Sequence, residues 1–187
     1  AGQGSPWQSF CILAGTEAAI LAAMDTPDFV HFCLGEILKK TLRVTELWQG
    51  TPADMVETGG GAGSNTVISP ALFRELCLPY DRQQHAALHD VGLKVVYHLC
   101  DGLETMTPPS MGGDCRLSEA SRRVGAKLFF IGGFDQNAGF ERGSPAEARR
   151  LVFECFEATR DHAGYIIAPS DHFFHGDPAN LQAFADA

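Results

Sequence analysis

Short apolar runs alternate along this chain with longer stretches of helical periodicity, and that alternation limits the fold more than any other feature of the sequence. Runs bounded by glycine or proline fit buried strands, and the amphipathic stretches between them fit crossover helices. The pattern argues for βαβ units and a parallel sheet covered by helices. Strands are expected at residues 9–13, 53–58, 94–98, 103–107, 127–131 and 165–168. Helices are expected over 16–24, 70–78 and 80–89 with Pro79 as an interruption, 117–124, and 178–185. A further helix starts at Thr26-Pro27-Asp28 and runs past Leu42, with Phe29, Phe32, Cys33 and Ile37 as its apolar face. Another begins at the capping box Ser144-Pro145-Ala146-Glu147, with Ala148, Leu151, Val152, Cys155 and Phe156 facing a core.

Polar, glycine-bearing segments recur directly after the strands: Glu57-Thr58-Gly59, His98-Leu99-Cys100, Gly132-Gly133-Phe134-Asp135 and Ser170-Asp171-His172. In (β/α) barrels the carboxyl ends of the strands and the loops after them build the active site. A closed barrel needs eight strands, and only Asp101 and Gly102 separate Cys100 from the next strand candidate, where a parallel crossover takes about a dozen residues. The expected fold is therefore α/β, a (β/α)8 TIM-type barrel lacking its N-terminal strands and one internal crossover helix in the sequence given. Residues 1–187 form one domain in this reading, the C-terminal part of the barrel.

The net charge of -9 and the scattered Lys and Arg residues disfavour nucleic acid, whose phosphates need clustered cations. No run approaches the roughly 18–20 apolar residues of a membrane-spanning helix, and the start lacks the pattern of a signal peptide, so no membrane and a cytoplasmic location are expected. Six cysteines in 187 residues are too few for a disulfide scaffold, and Cys33, Cys77 and Cys155 fall in helical patterns as small buried hydrophobes.

Side chains alternate along a strand, so His98 and Cys100 point to the same side if the strand persists through both. The pair reads either as two ligands of one metal ion or as a buried Cys beside a hydrogen-bonded His. Glu57 either orients a ligand or hydrogen-bonds substrate, or else forms a structural ion pair. The cluster from Gly59 to Gly63 lacks the GKS or GKT of a phosphate loop and the spacing of a dinucleotide fingerprint. It reads as backbone that lets a bulky ligand approach, with Gly60 and Asn65 as substrate-binding candidates. Asp135 would face the barrel mouth while Phe134 packs against a ligand ring, or the two belong to a tight turn. Asp171 and His172 follow the last strand as site residues or as a cap. His31, His85, His89 and His162 receive no role, and His175 reads as an exposed loop residue.

The order Val56-Glu57-Thr58-Gly59-Gly60-Gly61, Val67-Ile68-Ser69-Pro70, Val95-Val96-Tyr97-His98-Leu99-Cys100 resembles the uroporphyrinogen decarboxylase superfamily. So do Glu104-Thr105-Met106-Thr107-Pro108-Pro109, Ile131-Gly132-Gly133-Phe134-Asp135-Gln136 and Ile167-Ala168-Pro169-Ser170-Asp171-His172-Phe173-Phe174. The resemblance implies a (β/α) barrel and one of two chemistries: cofactor-free decarboxylation of porphyrinogen acetates, or zinc-dependent methyl transfer involving corrinoids. In the methyltransferase branch a His-x-Cys at a strand end supplies two zinc ligands and a later strand end supplies a Cys. The related cobalamin-independent methionine synthases add a Glu shortly after the His-x-Cys.

By that likeness His98, Cys100 and Glu104 are expected metal ligands, and Asp171 or His172 stands where the late Cys would be. The expected function is zinc-dependent methyl transfer between a corrinoid, carried on a partner protein, and a thiol or other small methyl donor or acceptor, with Glu57 and Asp135 as catalytic groups. A homodimer is compatible with this reading. The alternatives are uroporphyrinogen decarboxylation, whose arginine-rich loop belongs to the family's amino-terminal part, and a noncatalytic tetrapyrrole-binding barrel.

Overall fold

A computed structural model of the chain describes residues 1–64, 66–98, 117–161, 164–169, 173 and 175–187. The chain divides into two compact units, Ala1–Gly102 and Leu103–Ala187, each with its own pair of parallel strands. The expected α/β class with parallel pairing is present in both.

The first unit opens with an extended segment and then a helix, α1 (Pro6–Ala14), where residues 9–13 had the pattern of a strand. Ser5 decides the outcome: its hydroxyl accepts from the Gln8 N–H at 3.3 Å, and Pro6 takes the first helical position, where its missing N–H costs nothing. A short apolar run fits a buried helix as well as a buried strand, and periodicity alone does not separate them. The strand-like element lies earlier. Gly2 bridges in parallel to Glu57, with Gln3 N–H donating to Glu57 O and Glu57 N–H to Ala1 O.

Helices α2 (Thr16–Asp25) and α3 (Pro27–Glu46) follow as expected; of the expected face of α3, Cys33 and Ile37 pack against the core, but Phe29 and Phe32 do not. Val30, Leu34 and Leu38, four residues apart, turn inward with Thr41 and Thr45, whereas Phe29 and Phe32 are 57% and 64% exposed. Thr26 does not cap α3 through its side chain; its hydroxyl donates back to Ala22 O, closing the end of α2. Among the described residues no single helix is long and apolar enough to cross a membrane. The pair α1 and α2 passes that test only with a bend of 108° between them.

Strand β1 (Met55–Gly59) leads into a short turn of 3₁₀ helix at Gly61–Gly63. Ser69 then caps α4 (Pro70–Leu72), which passes through one wide π turn, Phe73–Cys77, into α5 (Leu78–Asp90). Proline at 79 has no N–H to give the preceding turn, and the widened ring just before it lets the helix continue where an interruption was expected. Strand β2 (Lys94–His98) pairs with β1 in parallel, Met55 opposite Lys94 through Gly59 opposite His98. One core gathers Trp7, Phe10, Ala19, Val30, Leu34, Leu76 and neighbours, and a smaller one forms from Val56, Leu88 and Leu93 beneath the strands.

The second unit contains α6 (Leu117–Val124), β3 (Phe130–Phe134), α7 (Pro145–Thr159), β4 (Tyr165–Pro169) and α8 (Pro178–Ala185). Strand β3 starts three residues later than expected. The N–H groups of Lys127 and Leu128 still donate to Val124 O, so the chain is turning there. Gly132 and Gly133, expected to follow the strand, lie within it and pair with Ile167 and Ala168. Helix α7 buries Ala148, Leu151 and Cys155 as expected, but Phe156 faces outward. Asn180 of α8 ties the unit together by donating to Phe140 O at 3.2 Å and Gly143 O at 3.0 Å. The strand expected at 103–107 lies outside the described residues.

Candidate active site

The first unit has a cleft of about 330 Å³ at the carboxyl ends of β1 and β2, walled by the Gly2–Gly4 segment, Gln8, Glu57 to Gly61 and His98. Register explains how the side chains sort. Val56, Thr58, Val95 and Tyr97 share the strand face packed on helix, while Glu57, Gly59, Val96 and His98 share the other. Glu57 and His98 are diagonal neighbours on that second face, and Nδ1 of His98 lies 3.0 Å from Oε1 of Glu57.

Backbone geometry fixes the end of β2 against the glycine turn. Gly59 has φ +88°, and a Cβ there would sit 2.2 Å from the His98 carbonyl oxygen, so no side chain fits without displacing the strand. Gly60 N–H donates to that same carbonyl at 3.0 Å. Gln8 reaches across from α1, accepting at Oε1 from Ala62 N–H at 2.9 Å, and a Cβ on Gly60 would meet that oxygen at 2.4 Å. Trp7, fully buried, donates from its indole to Ala62 O at 2.8 Å. The glycine turn is thus held from one side by α1 and from the other by β2.

Beneath the cleft a polar network joins both strands to α5. Tyr97 OH donates to Asp81 Oδ2, Thr58 Oγ1 and His85 Nε2 are hydrogen-bonded at 2.8 Å, and the His85 and Tyr97 rings meet edge-on with centroids 5.0 Å apart. Asp81 is only 2% exposed, and burial pushes its acid up to about 6 from 3.8 against the opposing pull of the Tyr97 hydroxyl. Burial also raises the Tyr97 phenol, with the Asp81 carboxylate adding to it, and lowers the His85 imidazole, with nearby His89 contributing. His85 therefore belongs to a structural network, and His31 likewise bonds Tyr80 OH at 2.8 Å. Asp81, Gln84, His85 and Leu88 recur at helical spacing on one face. Three polar residues on that face were the available signal for a buried network, and sequence reading passed over it.

Of the expected site residues, the structure brings together Glu57, Gly60 and His98 in one cleft. Asp135 lies in the other unit just after β3, where its Oδ1 accepts from Ala138 N–H at 3.0 Å and closes the following π turn, the tight-turn alternative. Phe134, expected against a ligand ring, is fully buried among Phe140 and Phe184 with ring centroids 4.7 Å away in each case, so its side chain builds the core. Asn65, Cys100, Glu104, Asp171 and His172 lie outside the described residues. Among the described residues no three of His, Cys, Asp and Glu gather in a way that would hold a metal ion. His98 alone of the expected ligands lies among the described residues: it lines the cleft at a strand end with a carboxylate on Nδ1, an arrangement common around metal-bound imidazoles. Cys11 and Cys77 are poor ligands, since both are buried and desolvation raises both thiols, that of Cys11 to about 11.

No curated protein matches the sequence. Among solved structures 19 chains match, one of them a methyltransferase from Methanosarcina mazei with a TM-score of 0.73 and 15% identity. That likeness covers 99% of this chain and 56% of the other, so the chain spans little more than half the length of that protein, and at such identity the similarity is one of fold. The family model for uroporphyrinogen decarboxylase (URO-D) matches residues 1–187. With its motif order, parallel strand pairs and strand-end cleft all in agreement with that match, the chain belongs to the uroporphyrinogen decarboxylase family.

Proposed function

We propose that this chain is part of a (β/α)8 barrel enzyme of the cytoplasm that transfers a methyl group between a corrinoid, carried on a partner protein, and a thiol or other small substrate, with zinc at His98. The observation that carries the reading is the position of His98: the end of β2, on the strand face opposite α5, in a glycine-walled cleft. Cys100, two residues on, would join it, with Glu104 and Asp171 or His172 completing the set. Zinc, when bound, keeps a ligating thiolate deprotonated near neutral pH and activates a substrate thiol as nucleophile.

The chain's own contribution is shape and charge. The Gly59–Gly61 backbone leaves room for a ligand to approach the imidazole, and Gln8 and the Gly2–Gly4 segment close the cleft on the opposite side. Glu57 places a carboxylate in the cleft, which repels a polycarboxylate such as a porphyrinogen and favours a cationic centre beside His98.

The test is the zinc content of the purified protein by elemental analysis, wild type against His98→Ala and Cys100→Ala. One equivalent in the wild type, lost in both variants, is the expected result. A metal-free wild type would overturn the proposal and make porphyrinogen decarboxylation the activity to assay.

A further inference from the structure

The contact between Glu57 and His98 determines which imidazole nitrogen carries the hydrogen. A carboxylate offers only acceptors, and its Oε1 lies 3.0 Å from Nδ1, so in the neutral ring the hydrogen belongs on Nδ1 and the lone pair on Nε2. The strand register makes the contact available. Glu57 sits opposite Val96 and His98 opposite Gly59, and with no side chain on Gly59 the imidazole can lean diagonally across the strand pair to the carboxylate. The His98 main chain is held independently by Gly60 N–H, so the ring is fixed at both its backbone and its Nδ1 edge.

We infer that Glu57 is a positioning residue that holds His98 in the Nδ1–H form and so presents Nε2 as the nitrogen that bonds the metal ion. This deepens the zinc reading above and, in its second half, rests on it. The local sequence does not pair Glu57 with His98, since 41 positions separate them and Glu57 alone reads equally as orienting a ligand, binding substrate or forming a structural ion pair.

The test uses the intact chain, stripped of metal, at about pH 8.5, where solvated imidazoles are neutral. Long-range ¹⁵N–¹H correlation spectra distinguish the two neutral forms of each histidine, and His98 is assigned by its absence from His98→Ala. Wild type should show His98 with the hydrogen on Nδ1. Glu57→Ala should lose that preference in favour of the Nε2–H form common in solvated histidine, and Glu57→Gln, which keeps an acceptor oxygen, should restore part of it. Competition against a chelator with zinc alone should then show Glu57→Ala binding zinc about 10–100-fold more weakly than wild type. An Nε2–H ring in the wild type, or an Nδ1–H ring unchanged in Glu57→Ala, overturns the inference whatever the metal content. A wild type that has the Nδ1–H ring, dependent on Glu57, but takes up no zinc supports Glu57 as the positioning group and counts against the zinc reading alone.

Discussion

Replacing Gly59 by Ala tests whether the end of β2 is fixed by close backbone approach. The new Cβ would stand 2.2 Å from the His98 carbonyl oxygen and 3.1 Å from Tyr97 Cε2, at φ +88°. The left-handed backbone costs a non-glycine residue roughly 1–2 kcal/mol. Forcing apart a packed contact adds about 1–3 kcal/mol, because the obstacle is backbone rather than the far end of a flexible side chain. The sum is about 2–5 kcal/mol, which in a chain of this size lowers Tm by roughly 4–20 °C. Gly92 supplies the control: its φ is +87° but nothing lies within 4 Å of where its Cβ would be, so Gly92→Ala should cost only the backbone part. Urea unfolding followed by tryptophan fluorescence reads the relevant unit, since both tryptophans, Trp7 and Trp48, lie within it. Gly59→Ala should lose about 1–3 kcal/mol more than Gly92→Ala. Equal losses would show that His98's carbonyl does not dictate the glycine, and the account of the cleft floor would fall with it.

Two further outcomes follow from burial. Asp81 has its acid at about 6 when folded against 3.8 in the open chain, so between those values the folded state holds a proton that the unfolded state has lost. The contribution of this group to stability is therefore greatest below about pH 4 and is lost as pH rises through 6, by about 3 kcal/mol; Asp81→Asn should remove that part of the slope in urea unfolding from pH 4 to 7, and a slope unchanged in the variant would sink the assignment. Cys11 and Cys77, both buried and with thiols raised by desolvation, should resist iodoacetamide at about pH 8 until urea is added. Peptide mass spectrometry that finds either one alkylated in the folded protein at the rate of a solvated thiol would contradict the packing of α1 against the π turn.

Local chemistry was enough to place most elements. Ser144 and Pro145 start α7 because a hydroxyl acceptor and a preset φ act within four residues, and Pro178 opens α8 on Asp177, whose carboxylate accepts from Ala179 N–H at 2.8 Å. The strand at Lys94–His98 and the turn at Gly92 are equally local, as is the wide glycine loop after β1. The order of motifs likewise carried the family, because it depends on the sequence alone.

What the sequence could not decide was which side of each element meets which neighbour. Residues 9–13 are apolar enough for a strand or a buried helix, and the choice went to Ser5 and Pro6, outside the run. Phe29 and Phe32 are larger and more apolar than Thr41 and Thr45, yet the threonines are the buried residues, on the face that Gln3 meets by donating to Thr41 O at 2.7 Å. Phe134 looked like a ligand contact and became core once Phe140 and Phe184 closed over it. The sequence by itself determined most of the alternation of elements, the cap at Ser144, the family and the strand-end residues Glu57 and His98, because these follow from interactions within a few positions or from motif order. Only the tertiary structure decided that Glu57 meets Nδ1 of His98, that Gln8 braces the glycine turn and that Asp81 lies buried beneath them, because parallel register and burial join residues tens of positions apart and leave no mark on the local pattern.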